Sequence, residues 1–278
     1  MQSGILCLQG HLRQGAEEGA KSVEMAEDGG DHVWLGRCLA GQRTWLTLAG
    51  RWREARTLSQ RIGDLGPEPA LRSPEEPWLL GEFDSSLATA RRRSVALRAG
   101  GDTVGSVFSL VWLGDALLQL GRVEEAVSAA REAVVLLGER AYWAYGGWAH
   151  GVLCEALARL CATDAWLALA EAESMIARLE QFFATPCLLR ARGLLLAHQN
   201  DLGKAIAALM ESAAVAREQE SLVQAGRTLA ALAVVARSAG DLTLATDAAA
   251  ERLAVVEQIG PEARGLPWAH ESGTDQRD

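Results

Sequence analysis

Lysine is nearly missing from this chain of 278 residues, with only Lys21 and Lys204 set against 25 arginines. That bias is expected where G+C-rich codons favour arginine, and it points to a bacterial source. The 27 basic residues are outnumbered by 36 acidic ones, for a net charge of −9. Such a balance opposes attraction to a polyphosphate backbone, so no direct nucleic-acid partner is expected. Long apolar runs are also missing. The longest, around residues 229–236, is far below the roughly 20 residues that a bilayer crossing needs, so no membrane span is expected. The opening residues have neither a basic start nor a sustained apolar core, which argues against a secretory signal. Cys7, Cys38, Cys154, Cys161 and Cys187 are odd in number and scattered. They do not form a disulfide framework, and a reducing cytoplasm is the expected location.

Local signatures of chemistry are equally scarce. No G-x-x-x-x-G-K-[ST], H-E-x-x-H or G-x-S-x-G occurs. His150 and Cys154 are four apart and would share a helix face beside Glu155, but a third and fourth metal ligand at motif spacing are lacking. The expectation is no metal, no cofactor and no catalytic activity. An enzyme whose groups meet only in space is the rival from another class.

What the chain does have is a repeat. In "LQLGRVEEAV", Gly121 closes one helix with a left-handed backbone and a second begins at once. Similar junctions fall at Gly10, Gly50, Gly81, Cys161, Asn200 and Gly240, with successive spacings of 40, 31, 40, 40, 39 and 40 over the seven. Two residues past the turns stand Leu12, Trp52, Phe83, Val123, Thr163, Leu202 and Leu242. Five past come Gly15, Ala55, Ser86, Ala126, Trp166, Ala205 and Ala245, mostly small, as a close helix crossing requires. Leu39, Leu110, Leu189 and Leu229 lie eleven before their turns, and Leu46, Leu117, Leu157 and Leu196 four before. These offsets give each helix an apolar stripe of helical period. The predicted fold is all-α: a right-handed α-solenoid of about seven helical hairpins with a period near 40 residues.

Residues 67–78, "PEPALRSPEEPW", hold four of the seven prolines and coincide with the short spacing. Continuous helix fails there. The expected organisation is hairpins over 1–66, the first of them truncated, an interruption or hinge over 67–80, further hairpins over 81–258, and a flexible tail over 259–278. A truncated first hairpin leaves apolar surface at that edge, to be covered by pairing with another copy or by a longer protein.

The hairpin at Gly121 carries Leu110-x2-Leu113-Gly114-x2-Leu117, then Ala126 and Ala130; the one at Asn200 carries Leu189-x2-Arg192-Gly193-x2-Leu196, then Ala205 and Leu209. This pattern resembles the tetratricopeptide repeat (TPR), whose small residues let paired helices approach closely. The TPR period is about 34 residues, and the longer one here is more similar to the elongated TPR-like repeats in regulatory regions of bacterial LuxR-type ATPase regulators. That resemblance implies an array that senses an inducer or a partner protein. It brings no ATPase or DNA-binding activity, because neither motif is present.

The resemblance also implies that first helices line a concave face. Transferred position by position, it picks Thr44, Asp115, Gln119, Trp148, Glu155, Arg159, Arg190, His198 and Arg237 as partner-binding candidates. The segment "YWAYGGWAH" adds Tyr142 and Tyr145, either as anchors for a partner or as filler between hairpins. The expected function is a non-catalytic protein- or peptide-binding repeat module, the sensing or assembly region of a bacterial transcriptional or signalling regulator. The alternative in the binding class is a small-molecule inducer pocket near Trp148.

Overall fold

The computed structural model describes residues 2–66, 73–138 and 145–270. Its helices pair as hairpins in chain order. The first two are α1 (Gln2–Leu8) with α2 (Leu12–Asp28) and α3 (His32–Ala49) with α4 (Trp52–Asp64). The next are α5 (Glu75–Leu79) with α6 (Phe83–Ala99), α7 (Thr103–Gln119) with α8 (Val123–Leu137), and α9 (Gly146–Arg159) with α10 (Ala165–Leu179). The last are α11 (Thr185–His198) with α12 (Leu202–Glu218) and α13 (Leu222–Ser238) with α14 (Leu242–Ile259). Among the described residues there is no strand. The fold is an all-α, TPR-like solenoid.

All seven turn residues adopt positive φ, from 51° at Cys161 to 91° at Gly10. The Gly121 turn shows why. The N–H of Arg122 reaches back to the carbonyl of Leu117 at 2.9 Å and that of Gly121 to Leu118 at 3.2 Å. This pair satisfies carbonyls that the ending helix would otherwise leave open, and it requires a left-handed residue between them. At the other ends, Asp31, Asp102, Asp201 and Asp241 accept a hydrogen bond from the third N–H of α3, α7, α12 and α14. Close crossing within hairpins follows the small residues. A Cβ on Gly193 would come within 2.7 Å of Leu209 Cγ.

One hairpin departs from the expected register. The turn at Cys161 runs through Asp164 before α10 begins, so Ala165, wholly buried, takes the crossing, while Trp166 is 40% exposed. Non-helical residues advance farther than the 1.5 Å of a helical one, so the chain reaches the crossing one residue sooner.

Second helices are laced in order by exposed ion pairs: Arg61–Glu27 joins α4 to α2, Arg91–Glu125 and Arg98–Glu132 join α6 to α8, and Arg217–Glu251 joins α12 to α14. Each pair is about 34 positions apart in sequence. Pairs this exposed are worth up to about 1 kcal/mol each, so they mark the stacking more than they create it. The short α5 stands where a full first helix would lie, and residues 67–72 of the proline-rich segment lie outside the described residues. Trp78 of α5 is 2% exposed and packs edge-on against Trp52 and Trp112, which links the hairpins on either side.

The array curves until its ends meet. Trp45 of α3 packs edge-on against Phe183, with ring centroids 5.9 Å apart, and Arg13 pairs with Glu220. The Gly50 turn lies against Leu222, Val223 and Ile259. The short α1 is covered from within the chain by Phe182–Ala184. Where the sequence suggests a flexible tail, Pro261–Gly265 and Pro267–Ala269 form 3-10 turns that bury Ala263, Leu266 and Trp268. This segment also reaches back to the second and third hairpins, since Glu262 pairs with Arg56 and Gly265 touches Phe83.

Candidate functional site

The first helices α7, α9, α11 and α13 stand side by side along the inner wall, and their polar residues meet there. Arg227 Nη1 donates to Asp115 Oδ1 at 2.6 Å, and its Nη2 donates to Glu155 Oε2 at 2.9 Å. Arg190 Nη2 donates to the same Glu155 oxygen at 2.5 Å and to Gln224 Oε1 at 2.9 Å. Arg190 Nη1 reaches Thr228 Oγ1 at 2.9 Å. Arg159 Nη2 holds Glu155 Oε1 at 2.8 Å, and Gln119 donates to Asp115 at 3.0 Å. Glu155, Arg190 and Arg227 are wholly or almost wholly buried.

Charges taken this far from water persist only when partners replace hydration. Burial alone would raise the Glu155 carboxyl, but Arg190, Arg227 and Arg159 outweigh it and hold the group well below the usual carboxylate range. Burial also works against the Arg227 charge; Asp115 and Glu155 more than offset it and raise that guanidinium above its ordinary value. Cys187 donates its thiol to Glu155 Oε2 at 2.9 Å, and burial followed by that neighbouring carboxylate pushes it well above its normal value. A thiol kept protonated is a poor nucleophile. Among the described residues, no group of three or more His, Cys, Asp or Glu is placed to hold a metal ion.

The cluster borders a cavity of about 280 Å³ to which α7, α9, α11, α13 and the C-terminal segment all contribute. Leu118, Leu194, Val234 and Trp268 give it apolar walls, and Gln119 and Arg159 line it as well. Three buried polar atoms of its lining residues have no hydrogen-bond partner among the described residues: Gln119 Oε1, Arg227 Nε and Trp268 Nε1.

Thus Asp115, Gln119, Glu155, Arg159 and Arg190 come together. The other candidates do not join them. Thr44 lies in a different cavity, bonded to Glu75, while His198 and Arg237 are exposed near their helix ends, away from the cluster. Trp148 is 2% exposed and packs against Phe108, Tyr145 and Phe183. It therefore fills the space between hairpins and does not stand as an accessible anchor. Tyr145 adjoins it, and Tyr142 lies outside the described residues. Arg227 does not stand out in the sequence because it sits near the start of α13, far from the turn that aligns the repeats. Only the curvature that brings α13 back to α7, 112 positions away, reveals it.

The sequence matches no protein-family model and no curated protein sequence. Solved structures resemble it in shape. A Rap protein complexed with competence and sporulation factor superposes with a TM-score of 0.68 at 12% identity, over 92% of this chain and 77% of that one. TTC0263, a thermophilic TPR protein of Thermus thermophilus, gives a TM-score of 0.43 at 24% identity, over 66% and 88% of the two chains. BtubC from P. vanneervenii gives 0.42 at 16% identity, over 88% and 91%. The Rap likeness concerns the fold.

Proposed function

We infer that this chain is a non-catalytic binding module that accepts an extended segment of a protein or peptide partner in the inner cavity. The observation that carries this reading is the composition of the cavity itself. Apolar walls from α7, α11, α13 and the C-terminal segment surround one acceptor, Gln119 Oε1, and two donors, Arg227 Nε and Trp268 Nε1, that have no partner among the described residues. A peptide unit offers a complementary donor and acceptor, and an apolar side chain beside it would fill the rest. At about 280 Å³ the space suits one anchoring residue with its flanking amides. Affinity would then rest on a few desolvated anchors more than on total area. A Rap protein solved in complex with a factor shares the fold, which supports a binding role. The wider reading, a sensing or assembly region of a bacterial regulator, is supported by the LuxR-type resemblance and the arginine bias.

The test is to pan a random linear peptide library against the chain and measure selected peptides on an Ala231→Trp variant, in which an indole would occupy part of the cavity. Selected peptides should bind the variant at least tenfold more weakly. Equal binding to both proteins, or no enrichment, would overturn the reading.

A further inference from the structure

A second cavity, of about 220 Å³, opens between α3, α5, α7 and the foot of α9, with Arg93 of α6 also lining it. It shares no lining residue with the inner cavity. Its walls include Trp45, Val104, Phe108 and Tyr145, and two buried charged residues line it: Glu75, 0% exposed, and Arg43, 1% exposed. Each is only half used. Glu75 Oε1 accepts from Thr44 Oγ1 at 2.6 Å, while Oε2 has no partner among the described residues. Arg43 Nη2 donates to Ser73 Oγ, while Nε has none among them. Buried polar atoms are seldom left this way, and a half-satisfied charge deep in a wall calls for an explanation. At the cavity edge Tyr145 holds a left-handed backbone, φ 66°, at the start of α9 and not at a helix-closing turn. Strain of this kind persists where surrounding structure imposes it, and it clusters at ligand sites.

We propose that this cavity binds a free apolar α-amino acid, its ammonium on Glu75, its carboxylate on Arg43 and its side chain against Trp45 and Phe108. The unpaired oxygen calls for a donor, preferably cationic, and the unpaired guanidinium nitrogen for an acceptor, preferably anionic. A zwitterion supplies both from one carbon. Size agrees: a cavity of about 150 Å³ holds benzene, so about 220 Å³ holds an apolar group together with a small polar head. The volume falls below the roughly 300–1,000 Å³ of sites for drug-sized ligands. This goes beyond the peptide reading and stands or falls separately, because it uses other residues.

Isothermal titration with L-leucine, L-phenylalanine and L-tryptophan tests it. At least one should bind saturably. For phenylalanine as the binder, phenethylamine and 3-phenylpropionate, which each lack one charge, should bind at least tenfold more weakly; the corresponding amine and acid serve for the others. Glu75→Gln keeps an acceptor for Thr44 and replaces the second oxygen with an amide. It should weaken the amino acid at least tenfold while leaving the acid-only analogue unaffected. Gly41 lines the same cavity, and a Cβ there meets no atom within 4 Å, so Gly41→Leu should abolish binding without lowering the thermal midpoint. Absence of saturable heat with all three amino acids, or unchanged affinity in Glu75→Gln, would overturn the assignment.

Discussion

Glu155 is the residue on which the inner wall turns. Its two oxygens receive Arg159, Arg190 and Arg227, so removing the carboxylate strands the buried Arg190 without a counter-charge and leaves Arg227 with Asp115 alone. Breaking a buried pair from one side costs about 3–5 kcal/mol, far more than an exposed pair is worth. Glu155→Ala should lose that much in urea unfolding, and a loss below about 1 kcal/mol would contradict this description of the cluster. The pH dependence has a definite sign. The folded pKa is depressed, so the Glu155 contribution is fully present above its unfolded value of about 4.3 and is lost as pH falls from there through the folded value. In that acid window Glu155→Gln should show a shallower decline in stability than the parent; equal slopes would contradict the assignment. Five of the cluster's members are legible in sequence as polar positions on first helices. Their burial is not, because a repeat pattern gives the face of a helix but not how tightly successive faces converge.

Helix ends show how far local chemistry carries. The seven turns are visible in sequence because five of them use glycine, which alone enters the left-handed region without steric cost. Glu180 and Glu220 close their helices in the same conformation, φ 54° and 56°, and carry no such mark. An L-residue there costs about 1–2 kcal/mol, partly offset by the entropy glycine would add to the unfolded chain, about 0.4–1 kcal/mol. Glu180→Gly should therefore stabilise the chain by roughly 0.5–1 kcal/mol in chemical denaturation. A decrease would mean that its side chain does something the turn geometry does not capture. What stays illegible are the places where the period breaks. The five-residue α5 has too few positions to display an apolar stripe, although its Trp78 joins two hairpins. The one-residue shift from Trp166 to Ala165 depends on how the Cys161 turn is built, and nothing in the spacing announces it.

Closure belongs to the whole molecule. Hairpins that only stacked would leave the first and last exposed, as a repeat array with unequal ends suggests. Here the first two hairpins rest on the last ones, and the segment after α14, tied to that helix by the bond from Arg252 Nη1 to the His270 carbonyl at 2.5 Å, reaches the second hairpin through Arg56–Glu262 and the third through the contact of Gly265 with Phe83. Trp268 sits against Gly226 so tightly that a Cβ there would overlap the ring. The same indole walls the inner cavity, so closing the ring and shaping the binding space are one packing event. A chain ending at Gly260 should open. Small-angle scattering of the parent should give a radius of gyration near the value for a compact chain of this length, about 19 Å, and the shortened chain should exceed it by several ångströms. Glu262→Arg, which sets two guanidinium groups against each other while retaining the indole, should shift the scattering in the same direction by less. If neither changes, the contacts between first and last hairpins hold the ring without the segment, and the peptides selected on the parent should then lose affinity for the shortened chain only through the missing Trp268 wall.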